Sequence, residues 1–380
     1  MKSKLKLSAL ALFCALAVVA CGGGGGDSPA VDTASGGGVD YSNYVVTTIA
    51  GNPNTPGATD GPGASATFNG VRGIALGPDG NLYVAENSNA KIRRVAPDGT
   101  VSTVAGGGYC DVANGTSSCD GPCASATFRF PSGVAVDAGG VIYVADAWAE
   151  AIRKISSPGT SACTVSTLAG GSGKRGSDDG VGSQATFSGY MHWLTVDSSG
   201  NVYVADSSLI RKVTPAGVVT TIAGTPSQLG HVDGPASSAQ FNYPQGIVLD
   251  AQGNLYVIDG GAYIRKITPG GTVSTLAGSG ADSMGASAVF DGAEGLGIDA
   301  ASNLYVADSG NNAIHKVTPN GMVTTITGGK NNGSVDGPVS QASLVNPQGV
   351  AVAADGTIYF SDMSQIGGNY PSTIRRIAPQ

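Results

Sequence analysis

The sequence shows no long amphipathic helical pattern after residue 45. It contains 60 glycines in 380 residues, and glycine weakens helices while it serves turns. Positive charge is also scarce, with 20 lysines and arginines against 27 aspartates and glutamates. This balance disfavours nucleic acid and anionic membrane surfaces as partners. Because the sequence has neither a Gly-x-Ser-x-Gly elbow nor a phosphate-binding loop, it lacks the motifs of common hydrolases and nucleotide-binding enzymes.

Six repeats occupy most of the chain. Each is marked by a tyrosine in Asn-Leu-Tyr-Val-Ala-Asp or a close variant, namely Tyr83, Tyr143, Tyr203, Tyr256, Tyr305 and Tyr359. In every repeat, four short β-branched runs are separated by Gly, Pro, Asp and Asn, which is typical of consecutive hairpins. We name these strands a, b, c and d. Repeats of this length that contain four strands predict the blades of a β-propeller.

The two ends of the sequence complement each other. Strand d ends in Ala-Gly or a close variant in five repeats, whereas the sixth repeat stops at Gln380 without a strand d. A matching segment, residues 45–51, precedes the first repeat. A strand donated to the last blade would join the ring non-covalently and cover an exposed sheet edge. We therefore predict an all-β, six-bladed propeller of four-stranded antiparallel blades over residues 45–380, closed by its N-terminal strand.

The repeat motifs resemble a known family. The fourth repeat contains Asp-Gly-Pro at 233–235, Ala-Gln-Phe at 239–241, Pro-Gln-Gly at 244–246 and Asn-Leu-Tyr-Val at 254–257. This pattern resembles the NHL repeat, and the resemblance covers nearly all of residues 45–380. It implies a six-bladed, TolB-like propeller. NHL-type propellers include binding modules, lyases and signalling ectodomains, so the fold does not define the chemistry.

The N-terminus resembles a bacterial lipoprotein signal peptide. Residues 1–20 have a basic start and an apolar stretch, and a lipobox-like segment ends at Cys21. The resemblance implies cleavage before Cys21 and lipidation of that residue, with an ordinary secretory signal as the alternative. Residues 21–44 form a flexible Gly/Ser-rich tether. Gly22 resembles the residue that lets lipoproteins move to the outer membrane. We expect a monomer that is anchored in the cell envelope by its lipid alone, on the periplasmic or exterior side.

Four further cysteines are disulfide candidates, since an exported chain meets an oxidising compartment. Cys110, Cys119 and Cys123 lie in one loop between blades one and two, which favours a local bridge. Cys163 lies in an enlarged c/d turn, on the opposite side of the ring and too far for a disulfide without rearrangement. Either the topology is locally altered or two thiols stay free. A zinc site in the loop is the other interpretation, but its spacing matches no tetrahedral pattern.

Charged residues recur at fixed places in the blades. An acidic residue ends strand b and a basic residue follows across the b/c hairpin, as in Glu86/Arg93, Asp146/Arg153, Asp206/Arg211, Asp259/Arg265, Asp308/His315 and Asp362/Arg375. These spacings predict ion pairs within the scaffold more than a ring of metal ligands. Aspartates that precede glycine are predicted to be turn residues, at Asp60, Asp120, Asp179, Asp233 and Asp336. A recurrent phenylalanine is predicted to be inter-blade core, at Phe68, Phe128, Phe187, Phe241 and Phe290.

One repeat position varies instead. The residue at the start of strand a should line the upper mouth of the central channel, on the face that carries the b/c turns and the Asp-Gly-Pro connections. We call this face the top and these six the rim residues: Arg72, Ser132, His192, Gln245, Glu294 and Gln348. A scaffold role would favour the same residue type in every blade. Because the residue type differs between blades, we predict a ligand-binding ring, with a water-lined channel as the alternative. Trp148, Tyr190 and Trp193, together with Tyr109, predict an aromatic platform nearby, with packing beneath the cysteine loop as the alternative.

These features favour a binding module for a protein, peptide or glycan over an enzyme, and they predict no cofactor or metal. The alternative is a divalent-metal lactonase or hydrolase resembling the senescence-marker/gluconolactonase family, with Glu294 as its channel carboxylate. NHL-type amidating lyases hold zinc with histidines. The three histidines here, His192, His231 and His315, lie on different elements, which argues against a shared zinc site. A purely structural role in the envelope is a third possibility.

Overall fold

Each tyrosine-centred repeat folds into one antiparallel sheet with its strands in the order a, b, c, d. The computed structural model describes residues 39–110, 119–278, 290–329 and 333–380. The β-branched runs form the strands, and Gly, Pro, Asp and Asn form the tight turns. Within the described ranges, no helix is long and apolar enough to cross a membrane. The predicted all-β, six-bladed propeller is confirmed.

The strands have the following bounds in the six blades. Blades one to three contain Val71–Leu76, Leu82–Glu86, Lys91–Val95 and Val101–Gly106; Pro131–Val136, Ile142–Asp146, Ala151–Ser156 and Thr164–Gly170; Met191–Val196, Val202–Asp206, Leu209–Val213 and Val218–Gly224. Blades four to six contain Ile247–Leu249, Leu255–Asp259, Tyr263–Ile267 and Thr272–Gly278; Ala293–Ile298, Leu304–Asp308, Ala313–Val317 and Val323–Gly328; Pro347–Val352, Ile358–Met363 and Ser372–Pro379. Two short 3-10 helices span Ala147–Ala149 and Gly182–Gln184.

The N-terminal strand closes the ring. Tyr44–Gly51 pairs antiparallel with Ser372–Pro379 and supplies strand d of blade six. Val46 and Ala50 are buried within this strand. Just before it, the Tyr41 hydroxyl lies 3.2 Å from the Tyr305 hydroxyl of blade five. The compact unit therefore begins at Tyr41, slightly before the predicted boundary at residue 45.

The connections between blades take a longer path than the sequence suggested. Gly121–Pro122 forms a fifth strand outside strand d of blade two, with Gly121 opposite Val165. Equivalent pairs are made by Gly180–Val181, Gly234–Pro235 and Gly337–Pro338. Strand d starts at the lower face, where the a/b and c/d turns lie. Each of these connections therefore descends along the outside of its blade before it returns to the top, so placing them on the top face alone was wrong.

The hydrophobic core is divided among the spaces between neighbouring blades. One cluster, for example, joins Ala85 and Ile92 of blade one to Val134 and Val144 of blade two. The recurrent phenylalanines lie in these spaces, and each is at most 3% exposed, at Phe68, Phe128, Phe187, Phe241 and Phe290. Their predicted role as inter-blade core is confirmed.

Glycine follows the rim residue in every blade except blade three. A Cβ atom on Gly133 would lie 2.6 Å from the carbonyl oxygen of His192, and one on Gly295 would lie 2.0 Å from that of Gln348. The same clash with the next rim residue's carbonyl arises at Gly73, Gly246 and Gly349. In these five blades, glycine is therefore required where the innermost strand meets that of the next blade around the axis.

Candidate functional site

The acidic residue that ends strand b is paired in every blade. In blade one, Arg93 Nη1 donates to Glu86 Oε2 at 3.0 Å, and both side chains are fully buried. The same ion pair joins Asp146 to Arg153, Asp206 to Arg211, Asp259 to Arg265 and Asp362 to Arg375. In blade five, His315 takes the place of the arginine, and its Nε2 lies 3.2 Å from Asp308 Oδ2. The prediction of scaffold ion pairs is confirmed, and these carboxylates are engaged inside the blades.

The Asp-Gly aspartates have a role that the sequence analysis missed. Asp60 accepts a hydrogen bond from Arg93 Nη2 at 2.6 Å and another from the Thr103 amide at 2.9 Å. In four other blades the equivalent aspartate likewise pairs with the strand c arginine, which thus contacts two carboxylates. These aspartates are Asp120, Asp179, Asp233 and Asp336. These aspartates therefore fasten the outer connections to their blades. A recurrent threonine in strand d was the available signal, at Thr103, Thr167, Thr221 and Thr275.

Two rim residues meet directly. Arg72 Nη1 of blade one lies 3.2 Å from Glu294 Oε2 of blade five, and the side chains are 24% and 20% exposed. Burial raises the pKa of Glu294, while the charge of Arg72 opposes that rise. The Arg72 guanidinium also lies 5.9 Å from the centroid of the Phe130 ring. The mouth of the channel thus carries one ion pair in a largely buried setting.

Four rim side chains leave a buried polar atom without a partner. The atoms are Nε of Arg72, Nδ1 of His192, Oε1 of Gln245 and Oε1 of Gln348. In the described part of the chain, the remaining side-chain atoms of this kind belong to Arg94, Arg153 and Arg211. Each such atom costs about 1–3 kcal/mol when nothing satisfies it, so these atoms favour a site that water or a ligand completes. The mouth offers hydrogen bonds to a polar guest.

Two rim residues serve the scaffold more than the mouth. Ser132 is fully buried, and its hydroxyl donates to the carbonyl of Met191 at 2.8 Å, which links blades two and three. Gln348 is 1% exposed, and its Nε2 donates to Asn346 Oδ1 at 2.8 Å. Arg72 and Glu294 are more accessible to a guest.

His192 should make the protein less stable in acid. Burial, reinforced by the charge of Arg72, lowers the pKa of His192 from 6.5 to about 4. Between these values the unfolded chain binds a proton that the folded chain does not, so stability falls as pH drops from 6.5 towards 4, by about 3 kcal/mol. Urea unfolding at pH 7 and pH 4 should show that His192→Gln loses about 3 kcal/mol less than the wild type. Equal losses in both proteins would contradict this assignment.

A divalent ion does not fit the rim. Such an ion prefers several oxygen ligands, whereas Glu294 is the one carboxylate among the rim residues. That carboxylate is paired with Arg72, whose charge repels a cation. The described residues contain no group of three or more His, Cys, Asp or Glu that could hold a metal. The side chains present suit an organic polar guest better.

Aromatic side chains occupy one sector of the top face. The position two residues before the rim residue is aromatic in three successive blades, at Phe130, Tyr190 and Tyr243. Trp148 stacks on Phe130 with ring centroids 4.4 Å apart, and Tyr190 meets Tyr243 edge-on at 5.9 Å. Exposure ranges from 44% at Tyr243 to 62% at Tyr109, with Trp148 and Tyr190 between them. We call Tyr109, Phe130, Trp148, Tyr190 and Tyr243 the aromatic arc.

Two arginines hold the aromatic arc in place. Arg129 donates from Nε to the Tyr109 hydroxyl and from Nη1 to the Trp148 carbonyl, both at 3.0 Å. The Arg175 guanidinium lies 5.9 Å from the Tyr190 ring centroid, and its Nε is 3.1 Å from the Glu150 carboxylate. These hydrogen bonds and cation–π contacts restrain the rings. Phe130, Tyr243 and both arginines were not predicted from the sequence, although the aromatic residue two positions before the rim residue recurs in blades two to four.

Trp193 does not belong to the exposed platform. It is 5% exposed and packs with Ala205, Phe241 and Ile247 in the core between blades three and four. Trp193 therefore neither belongs to a platform nor packs beneath the cysteine loop, and it occupies the place of the axial glycine in its blade. Trp148 and Tyr190 remain on the exposed surface.

All four loop and turn cysteines are paired. The disulfides are Cys110–Cys119 and Cys123–Cys163. Placing Cys163 beyond reach of the loop was wrong, because the descending connection brings Cys123 to the c/d turn at the lower face. The loop zinc interpretation is excluded as well. Cys110 follows Tyr109, so its bridge restrains one end of the aromatic arc. Cys21, the predicted lipidation site, lies outside the described residues.

The chain has recognisable relatives. A family model described as the teneurin NHL domain matches residues 53–156. NHL repeat-containing protein 2 of Homo sapiens is 29% identical over 267 residues, which cover 63% of this chain and 36% of that protein. Teneurin-1 of Gallus gallus is 34% identical over 112 residues, which cover 25% of this chain and 4% of that protein. The chain thus spans a minor part of the length of these relatives.

Solved structures share the fold at low identity. A protein of unknown function from Bacteroides thetaiotaomicron superposes with a TM-score of 0.62 at 19% identity, covering 88% of this chain and 76% of the other. A gluconolactonase from Xanthomonas campestris superposes with a TM-score of 0.52 at 13% identity, covering 88% and 89%. At these identities the likeness concerns the fold alone. The chain is therefore a six-bladed β-propeller whose repeats are similar to those of NHL-repeat proteins.

Proposed function

We propose that this propeller is a monomeric binding module that receives a protein, peptide or glycan on its top face, outside the cytoplasm. The aromatic arc is the observation that carries the proposal. Exposed Trp and Tyr offer large contact areas that lose little conformational entropy on binding. Because three successive blades place an aromatic ring at the same position, the arc suits an extended ligand that crosses several blades.

The rim residues add polar contacts at the inner edge of the aromatic arc. Arg72 contacts both Phe130 of the arc and Glu294 of the rim. A ligand that covers the arc can therefore also contact the partly exposed Arg72 and Glu294 at the mouth. Hydrogen bonds to these two charged side chains would add to the contact area of the arc. This combination of aromatic area and charged groups supports binding with chemical selectivity.

The course of the closing strand is consistent with a tether. Tyr44 begins strand d of blade six, and strand d starts at the lower face. The closing strand therefore enters blade six at the lower face. We infer that a lipid on Cys21 anchors the protein at the outer membrane, on its periplasmic or exterior side. Mass spectrometry of the N-terminal peptide tests the tether, and an unmodified Cys21 would refute it.

The proposed binding face predicts loss of ligand on removal of the aromatic arc. Residues 39–380 contain every blade and the closing strand, so this fragment can be immobilised and exposed to an envelope extract. The amount of material bound by the variant Trp148→Ala/Tyr190→Ala/Tyr243→Ala should be about tenfold lower than that bound by the wild type, or lower still. A loss of this size is expected when several central aromatic contacts are removed. Prior treatment of the extract with protease or periodate distinguishes a protein or peptide from a glycan.

The matched control is Tyr370→Ala. Tyr370 is 37% exposed and lies in the b/c hairpin of blade six, on the same face but outside the aromatic arc. This variant should bind as the wild type does. Equal binding by the triple variant and the wild type, with both folded by circular dichroism, would refute the proposal.

A further inference from the structure

A cleft lies between blades one and two, on the lower outer side of the ring and away from the aromatic arc. Its volume is about 510 Å³, which is within the range of small-molecule sites. Blade one contributes Arg94 of strand c and Ser102 of strand d to its wall. Blade two contributes its c/d turn near Thr160 and the loop at Ala124. The cleft is thus separate from the proposed binding face.

The wall formed by blade two is an addition to the repeat. Residues 157–163 separate strands c and d in this blade, against 214–217 in blade three and 268–271 in blade four. The disulfide between Cys123 and Cys163 fixes the end of the enlarged turn. The Cys123 amide also donates to the Cys163 carbonyl at 3.0 Å. The turn is therefore held at one side of the cleft by covalent and hydrogen bonds.

Arg94 lines this cleft beside Tyr83, close enough for its charge to act on the Tyr83 hydroxyl. Its side chain makes no hydrogen bond or ion pair within the described ranges, and its Nε is buried. In other blades, the residue equivalent to Arg94 contacts a neighbouring side chain. Lys212 and Lys266 lie over the rings of Tyr203 and Tyr256, and Arg376 Nε donates to Thr47 Oγ1 at 3.1 Å. A guanidinium with an unsatisfied buried donor favours an anionic ligand.

We propose that this cleft binds a small organic monocarboxylate through Arg94. The planar guanidinium matches a carboxylate with two parallel hydrogen bonds. The hydroxyls of Ser102, Thr160 and Ser161 line the same cleft and provide contacts for the rest of the molecule. Asp79 also lies on the wall, so a multiply charged anion such as phosphate meets repulsion beside a single arginine. The site therefore favours a singly charged carboxylate over a multiply charged anion.

Calorimetric titration of residues 39–380 with acetate, lactate, D-gluconate and inorganic phosphate tests this proposal. At least one of the carboxylates should bind saturably, and phosphate should bind at least tenfold more weakly. In ¹⁵N-labelled protein, the same carboxylate should move the Nε–H resonance that is lost in Arg94→Gln. Binding should fall at least tenfold in Arg94→Gln and in Ala124→Phe, which fills the cleft without changing the arginine.

The matched control is Arg376→Gln, which alters the equivalent residue of blade six and should bind as the wild type does. The triple variant of the aromatic arc should also bind the carboxylate normally, so this test is independent of the proposed function. Three results would overturn the proposal: no saturable binding of any carboxylate, unchanged binding in Arg94→Gln, or phosphate binding as tight as that of the carboxylates.

Discussion

Deletion of residues 44–51 should remove most of the stability of the propeller. Blade six would lose its outer strand, and the ladder from Tyr44 opposite Pro379 to Gly51 opposite Thr373 would be broken. Burial of Val46 alone contributes about 1.5–3 kcal/mol, and each lost hydrogen bond costs about 1 kcal/mol. We expect the free energy of unfolding to fall by more than about 5 kcal/mol, which is close to the whole stability of many domains. Urea unfolding followed by circular dichroism measures this change.

A peptide can show whether the loss comes from the missing strand. Added in trans, the sequence of Tyr44–Gly51 should restore part of the stability in proportion to its concentration, because it binds the folded state. A scrambled peptide of the same composition should have no effect. A deletion variant that unfolds at the same urea concentration as the wild type would show that the ring does not depend on this strand.

Arg265→Met should destabilise the protein by about 3–5 kcal/mol, since it leaves a buried carboxylate without its counter-charge. Arg265 is fully buried and lies 2.6 Å from both Asp259 and Asp233. Asp259 is fully buried as well. Its carboxylate would keep the Asn242 amide at 2.6 Å and His231 Nδ1 at 2.9 Å as neighbours, but it would lose its arginine. Urea unfolding at pH 7 measures the effect.

Two further variants separate charge from packing. Arg265→Met/Asp259→Leu removes both buried charges and should recover part of the loss, because replacing a whole buried ion pair costs less than breaking it. Lys266→Met alters the adjacent residue, which lies over the Tyr256 ring at 5.5 Å, and should cost less than about 1 kcal/mol. If Arg265→Met cost no more than Lys266→Met, the buried ion pair would not be a major source of stability.

The fold was predictable because local signals and global topology agree in this chain. The spacing of Tyr83 and its counterparts gave the number of blades, and the missing strand d after Arg375 matched the extra segment at 45–51. The scaffold pairing of Glu86 with Arg93 also followed from repetition. A residue type that occurs in every blade serves the structure of the blade itself. Its role can therefore be inferred from one repeat, without knowledge of contacts between distant parts of the chain.

The site was less predictable because its contacts join residues far apart in the sequence. The ion pair between Arg72 and Glu294 spans two blades that are not neighbours in the chain. Cys163 was misplaced because the descent of the connection along strand d depends on pairing between Gly121 and Val165. Trp193 was ambiguous, since a tryptophan that breaks a glycine pattern can lie either on the surface or between blades. Only the three-dimensional packing distinguishes these cases.

The axial glycines make the mouth of the propeller open to redesign. Gly349 lies against the carbonyl of Arg72, and Gly133 lies against that of His192, so the backbone positions of these rim residues are defined by main-chain contacts. Their side chains do not take part in that contact. Substitutions at Arg72, His192, Gln245 and Glu294 therefore change the chemistry of the mouth while the circle of strands stays the same. The mouth is thus open to natural variation and to protein engineering one residue at a time.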